Sequence, residues 1–253
     1  MDSLRKAWVL ARLVAHLLGG LLLALLAWPL IGTPQRKRTE QWFAKKLLSI
    51  LKVQVQASYE STQANYALHG PYLLYSNHVS WLDIFAFNAV EPVTFIAKAE
   101  ISKWPIGGTL AKRSGTLFIE RGKRHAVRDV IQAAVQVIKT GRSVAVFPEG
   151  TTGTGQTPLN FHSNFVQPAI MAGVPLLPVS LQYCSTDGRF SEEPAFVGEQ
   201  TLMQNIAVLL NSPKGYVVKL HFHHPMPTEG QTRHDLSDLA YTQIAAHLAG
   251  NLD

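Results

Sequence analysis

Tyr72-Leu73-Leu74-Tyr75-Ser76-Asn77-His78-Val79-Ser80-Trp81-Leu82-Asp83 begins as an apolar run rich in aromatics, the pattern of a buried strand. It breaks at Ser76-Asn77-His78, and Ser80 is placed to cap a helix that carries Asp83 in its first turn. Positions five apart on one continuous helix are separated by about 140°. His78 and Asp83 therefore meet more easily if the histidine sits in the turn and the aspartate on the helix after it. Such a pair has the form of a base oriented by a carboxylate. An isolated H-x4-D is more often a surface histidine beside a helix start, so the rest of the chain decides between the two readings.

On either side of this stretch the pattern alternates. Strands are predicted at Val53–Tyr59, Tyr72–Ser76, Val93–Ala97, Gly115–Ile119, Ser143–Phe147, Leu176–Tyr183 and Tyr216–Phe222. Helices are predicted at Ser80–Val90, Ile106–Lys112, His125–Lys139, Phe161–Ala172, Thr201–Asn211 and His234–Leu248. Strands alternating with helices predict an α/β fold, a mostly parallel central sheet flanked by helices. Ligands of such sheets gather at the carboxyl ends of the strands. His78, the Arg121 region and Pro148-Glu149-Gly150 all follow predicted strands, so one rim is expected to bring them together.

The 253 residues are 47% hydrophobic and only 16% charged, which fits a globular enzyme with a membrane segment and argues against disorder. Cys184 is the only cysteine, which excludes an intramolecular disulfide and a cysteine-based zinc cluster. The net charge of +6 is concentrated in two blocks, residues 1–52 (nine Lys/Arg against two Asp/Glu) and residues 98–142 (ten against three). Basic blocks in an otherwise acidic chain imply anionic partners. The first flanks an apolar helix and suits an anionic membrane surface. The second suits a phosphorylated ligand. No nucleic-acid motif interleaves these residues, so nucleic acid is not expected.

Leu13–Ile31 spans 19 residues with only His16 polar, about 28 Å as a helix and close to a bilayer's hydrocarbon thickness. Trp28-Pro29-Leu30 is not a small-residue cleavage site, which argues against a signal peptide. Residues 1–52 are thus expected to be an apolar membrane anchor followed by an amphipathic basic helix over Arg36–Leu51, and residues 53–253 the folded domain. The second helix suits either a membrane surface or the core.

Three further stretches carry chemistry. Gly115-Thr116-Leu117-Phe118-Ile119-Glu120-Arg121 reads as a strand ending on an arginine, a group able to hold a phosphate bidentately. Val144-Ala145-Val146-Phe147-Pro148-Glu149-Gly150-Thr151 reads as a buried strand running into a turn that holds Glu149 at its end. Gly173-Val174-Pro175-Leu176-Leu177-Pro178-Val179 is a tight entry into an apolar strand. Gly150–Thr157 is one residue short of a phosphate-binding loop, but Gln156 replaces the lysine and Pro158 stands where the helix would start. His221, His223 and His224 cluster without a further ligand nearby in sequence, so an exposed strand end is expected and no metal is assigned.

Taken in order, these stretches resemble the glycerolipid acyltransferases, the PlsC-like 1-acylglycerol-3-phosphate acyltransferase family. Asn77–Asp83 is similar to its N-H-x4-D block, Gly115–Arg121 to its glycine-led second block, Phe147–Thr151 to its third and Val174–Val179 to its fourth. The resemblance implies that His78 is the general base and Asp83 its orienting carboxylate. It implies that Arg121 and Lys98 grip a lysolipid phosphate, and that Asn77, Glu149, Gly150 and Thr151 belong to the acceptor's binding site. The co-substrate would be the thioester of acyl-CoA or acyl carrier protein, with no bound cofactor. No acyl-enzyme is needed, and Ser80 is left as a helix cap. The implied reaction forms phosphatidate at the inner (cytoplasmic) membrane, with the catalytic domain facing the cytoplasm. One departure bears on the acceptor. Many phosphatidate-forming members carry a lysine after a phenylalanine beyond the third block, where this chain has Phe161-His162-Ser163. Such variants occur among members acylating other lysolipids, including lyso-ornithine lipid. A membrane-tethered lipid-binding protein without turnover is the non-enzymatic alternative.

Overall fold

The computed structural model describes residues 2–60, 70–120 and 124–250. Helix α1 (Asp2–Leu22) runs through a π-turn and a short 3-10 turn, so that Ser3–Leu30 forms one apolar helix of 28 residues, long enough to cross a membrane by length and composition. It folds back against α2 (Thr33–Ile50). His16 stacks on Phe43 at 4.3 Å and bonds its carbonyl at 2.9 Å. Gly20 leaves the room for that ring: a Cβ there would stand 2.2 Å from it. At the start of α1, Arg5 donates to the Leu210 carbonyl and Lys6 to Asn211. These cations serve the carbonyl end of a helix more than 200 residues away in the chain. Leu4, Trp8, Leu18, Leu22, Leu26 and Leu30 remain exposed along one side. Helix α2 packs on the core through Leu47 and Leu48, which decides between its two expected placements.

Seven strands follow: β1 (Val53–Tyr59), β2 (Leu73–Ser76), β3 (Thr94–Lys98), β4 (Leu117–Ile119), β5 (Val144–Val146), β6 (Leu176–Ser185) and β7 (Tyr216–Phe222). They form one sheet in the order β1-β7-β6-β2-β5-β3-β4. All neighbours are parallel except β6 and β7. The central strands β2, β5 and nearly all of β6 are buried, as parallel strands covered on both faces must be. Helix α3 (Asp83–Val90) lies on one face with α1, α2 and α7 (Leu202–Asn211). Helices α5 (Arg124–Lys139), α6 (Gln167–Ala172) and α8 (Arg233–Ala249) lie on the other, while α4 (Gly107–Arg113) joins β3 to β4.

The chain leaves β2 through α3 on one face and leaves the neighbouring β5 through α6 on the other. Adjacent strands whose connections diverge leave a crevice at their carboxyl ends, the usual ligand position in such sheets. Two predicted helices are shorter than expected. The one expected from Ser80 begins at Asp83, because Trp81 and Leu82 form a turn first. Ser80 is therefore not the side-chain cap; its Oγ only approaches the Leu82 N–H, at 3.4 Å. The helix expected over Phe161–Ala172 becomes a 3-10 turn, Ser163–Val166, before α6. Pro168 supplies no N–H and is tolerated only in the first turn of an α-helix, which puts the start of α6 next to it.

The join between α2 and the sheet depends on one close approach. Gly215 has φ +81°, and a Cβ there would stand 2.0 Å from the Lys52 carbonyl oxygen, the acceptor of the Tyr216 N–H. Gly215→Ala is expected to cost about 2 kcal/mol, a fall of roughly 5 °C in thermal midpoint. An unchanged midpoint would contradict the tight junction.

Candidate active site

The crevice beyond β2 and β5 is built around one buried carboxylate. Asp83, wholly inaccessible, is the first residue of α3, and its side chain reaches back over the turn. Oδ2 accepts from the Val79 N–H (2.7 Å) and the Ser80 N–H (3.0 Å), and pairs with His78 Nδ1 at 2.8 Å. Oδ1 accepts from the Tyr183 hydroxyl at 2.8 Å. Burial and the adjacent Asp83 carboxylate push Tyr183 well above the usual phenol range, so it stays a donor. A buried charge demands such partners, and here two backbone amides, an imidazole and a phenol supply them.

His78 sits in the turn and Asp83 on the helix, as the spacing required. Its ring lies flat on Phe147, 4.0 Å between centroids and 8° between planes. The Nδ1 proton faces Asp83, which leaves Nε2 as the basic nitrogen of a partly accessible side chain. The turn is also pinned from outside. Gly153 N–H donates to the His78 carbonyl (2.8 Å) and Phe196 N–H to the Val79 carbonyl (2.8 Å). Gly155, at φ +86°, backs onto Val79 so closely that a Cβ would come within 2.9 Å.

Glu149 lies on the adjoining turn after β5 and is buried. Its Oε1 accepts from Leu159 N–H at 3.1 Å, while Oε2 has no partner among the described residues. Burial raises this carboxyl, the nearby backbone N–H groups of Leu159 and His78 pull it partly back, and the Asp83 charge adds to the rise, which leaves it at about 8. At neutral pH Glu149 thus holds a proton and can donate as well as accept. Gly150, at φ +65°, closes the turn on the Phe147 carbonyl, and Thr151 beside it is exposed.

The remaining predicted residues divide. Lys98 ends β3, two strands from β2, and is half-buried at the same rim. Arg121 lies outside the described residues, although β4 delivers the chain to the rim as far as Glu120. The Asn77 amide is committed elsewhere: it donates to the Leu181 carbonyl and accepts from the Leu181 N–H, both at 2.8 Å. That corrects its expected contact with an acceptor to a brace between the His78 turn and β6. Ser80 is buried, with its N–H on Asp83. The Gly150–Thr157 near-match opens no helix. Sequence reasoning missed Tyr183 and Phe147. The available signal for Tyr183 was a phenol at the end of an apolar strand, since a buried hydroxyl needs a partner.

Tyr183→Phe should leave Asp83 Oδ1 buried without its donor, lowering stability by about 1–3 kcal/mol. Thermal unfolding checks it; a midpoint within a degree of the wild type would count against the bond. Glu149 titrates higher folded than unfolded, so between pH 4.5 and about 8 the folded chain holds a proton that the unfolded chain has lost. Stability should therefore fall as pH rises through that window, and Glu149→Gln should flatten the fall. Equal slopes in the two proteins would refute the raised carboxyl.

A family model described as Acyltransferase matches residues 52–182, from the start of β1 into β6. The chain is 34% identical over 218 residues to the lyso-ornithine lipid O-acyltransferase of Pseudomonas aeruginosa, covering 86% of this chain and 81% of that one. It is 36% identical over 184 residues to the 1-acyl-sn-glycerol-3-phosphate acyltransferase of Neisseria gonorrhoeae, covering 72% and 71%. The crystal structure of PlsC, a 1-acyl-sn-glycerophosphate acyltransferase from Thermotoga maritima, matches the fold with a TM-score of 0.70 at 21% identity, over 99% of this chain and 97% of that one. On this likeness the chain belongs to the acyltransferase family, as a glycerolipid O-acyltransferase of the lysolipid-acylating type.

Proposed function

We propose that the protein transfers a fatty acyl group from acyl-CoA or acyl carrier protein to the free hydroxyl of a membrane lysolipid, with 1-acylglycerol-3-phosphate as the acceptor. The observation that carries this reading is the His78–Asp83 pair, held at 2.8 Å with the carboxylate fully bonded. His78 Nε2 takes the acceptor's hydroxyl proton as its oxygen attacks the thioester carbonyl. The C–S bond breaks, the thiolate leaves, and the imidazolium returns the proton to sulfur. Asp83 keeps the ring in one tautomer and stabilises its cation. Ser80, buried and bonded, is not the nucleophile, so the acyl group passes directly between substrates. We assign Glu149, buried beside the His78 turn, to shaping the acceptor's side of the site. Lys98 and Arg121 are the groups we assign to its phosphate.

A second acceptor, lyso-ornithine lipid, is favoured by two observations. The Pseudomonas aeruginosa relative named for it shares the longer aligned span. At the position after Phe161 stands His162, exposed, its N–H bonded to the Pro148 carbonyl beside Glu149. In either case the lipid arrives by way of the bilayer. The apolar stripe of α1, Trp8, and the flanking cations fit a chain seated on the inner membrane with its sheet toward the cytoplasm.

An assay of purified protein with one acyl-CoA and both lysolipids separates the acceptors. We expect phosphate-bearing acceptor to be preferred, and a preference for the phosphate-free one would remove Arg121 from its assigned role. His78→Ala should lower turnover by about 10³-fold or more with the fold retained. Full activity in that variant would end the mechanism.

A further inference from the structure

A second polar cluster lies on the reverse face of the sheet. Along β7, Phe222 enters the core against Phe87, so the residues on either side of it, His221 and His223, face the other way. On β6 the same alternation gives Tyr183 to the active site and Ser180 and Gln182 to this face. Histidines two apart on a strand are spaced to share one ion, but they need a third ligand. The sequence offered none nearby; the fold supplies it. The chain beyond β1 continues alongside β7, with Glu60 N–H bonded to the Phe222 carbonyl. Ligand atoms of Glu60, His221 and His223 all lie within 4.8 Å of one another. The expected exposed strand end is therefore wrong for His223, which is only 6% exposed.

We propose that Glu60, His221 and His223 bind a borderline divalent cation, Zn²⁺ being the best match to two imidazoles and a carboxylate. Metal-binding histidines characteristically have their second ring nitrogen held by a polar partner. Here Ser180 Oγ lies 2.7 Å from His223 Nε2, and Ser58 Oγ lies 2.9 Å from His221 Nδ1. His223 is thereby turned with Nδ1 toward Glu60, 3.4 Å from Oε2. The His224 N–H steadies that carboxylate at 2.9 Å. His247 of α8 stacks on His221 at 4.0 Å and meets His223 edge-on, which places a third imidazole beside the site. A cavity of about 270 Å³ bordered by Ser180, Lys219, His221 and His247 adjoins the His221 side of the cluster. Gln182 borders it too, buried and with both amide atoms unpartnered among the described residues. Two atoms on one Zn²⁺ at about 2.1 Å lie at most about 4.2 Å apart. The cluster must therefore tighten by at least about 0.6 Å, and by roughly 1.4 Å for tetrahedral ligation; the Glu60 side chain, 41% exposed, is the most accessible of the three ligands. The ion would pin the end of the edge strand β1 to β7 beneath α8, apart from the chemistry at His78.

The test uses tag-free full-length protein in detergent, stripped with EDTA and then titrated with Zn²⁺ or Co²⁺. The expected result is one ion per chain by elemental analysis, visible Co²⁺ bands, and a thermal midpoint raised by Zn²⁺. Glu60→Gln and His221→Ala should each weaken Zn²⁺ binding at least tenfold, while His125→Ala, at an exposed position, should bind as wild type. Glu60→Gln changes an accessible side chain, so its metal-free midpoint should match that of the stripped wild type. Zn²⁺ binding equally tight in all four proteins, or no binding by the wild type, would overturn the site.

Discussion

Everything at the rim depends on satisfying the Asp83 carboxylate where water does not reach. A carboxylate in that position is tolerated only if its oxygens are filled by donors. The chain provides them from three places: two amides of its own turn, the His78 ring, and a phenol from β6 a hundred residues on. Each donor is fixed by something else. The amides are fixed by the turn that Gly153 and Phe196 hold, the ring by Phe147, and the phenol by a strand buried along nearly its full length. The imidazole's orientation is thus a property of the packed sheet and not of the histidine's own rotamer preferences.

The sheet order explains why those elements meet. β2 lies between β6 and β5, so the turn after it faces Tyr183 on one side and the Glu149 turn on the other. Two carboxyls share this crevice in different states. Asp83 is saturated with donors. Glu149 accepts from the Leu159 N–H, has an Oε2 without a partner among the described residues, and is raised by burial to about 8. Environment thus separates two carboxyls of one site, one filled with donors and the other raised above the usual carboxylate range.

Much of this was readable before any coordinates. Strand positions followed from short apolar runs between turn residues, and β1 and β7 agree with the expected ends residue for residue. Helix geometry allowed the His78–Asp83 contact, and the other three stretches gave it weight. What escaped the sequence was long-range. Nothing local to Asn77 says that its amide will be used up by Leu181, or that α2 will turn toward the core. Tyr183 looked like any strand aromatic, because its partner is set by sheet order. The histidines of β7 read as an exposed end because Glu60 and His247 reach them only through strand pairing and helix docking.

The contacts of Arg5 and Lys6 with the end of α7 fasten the first turn of the apolar helix to the globular part of the chain. Trp28 on Thr39 and His16 on Phe43 fasten it again further along. The exposed apolar stripe is therefore joined at several points to the body that carries the His78 turn. With that stripe set against a bilayer, the distance from the hydrocarbon boundary to the His78 ring would be a dimension of the protein itself, and it would select among lipids by how far a hydroxyl stands from that boundary.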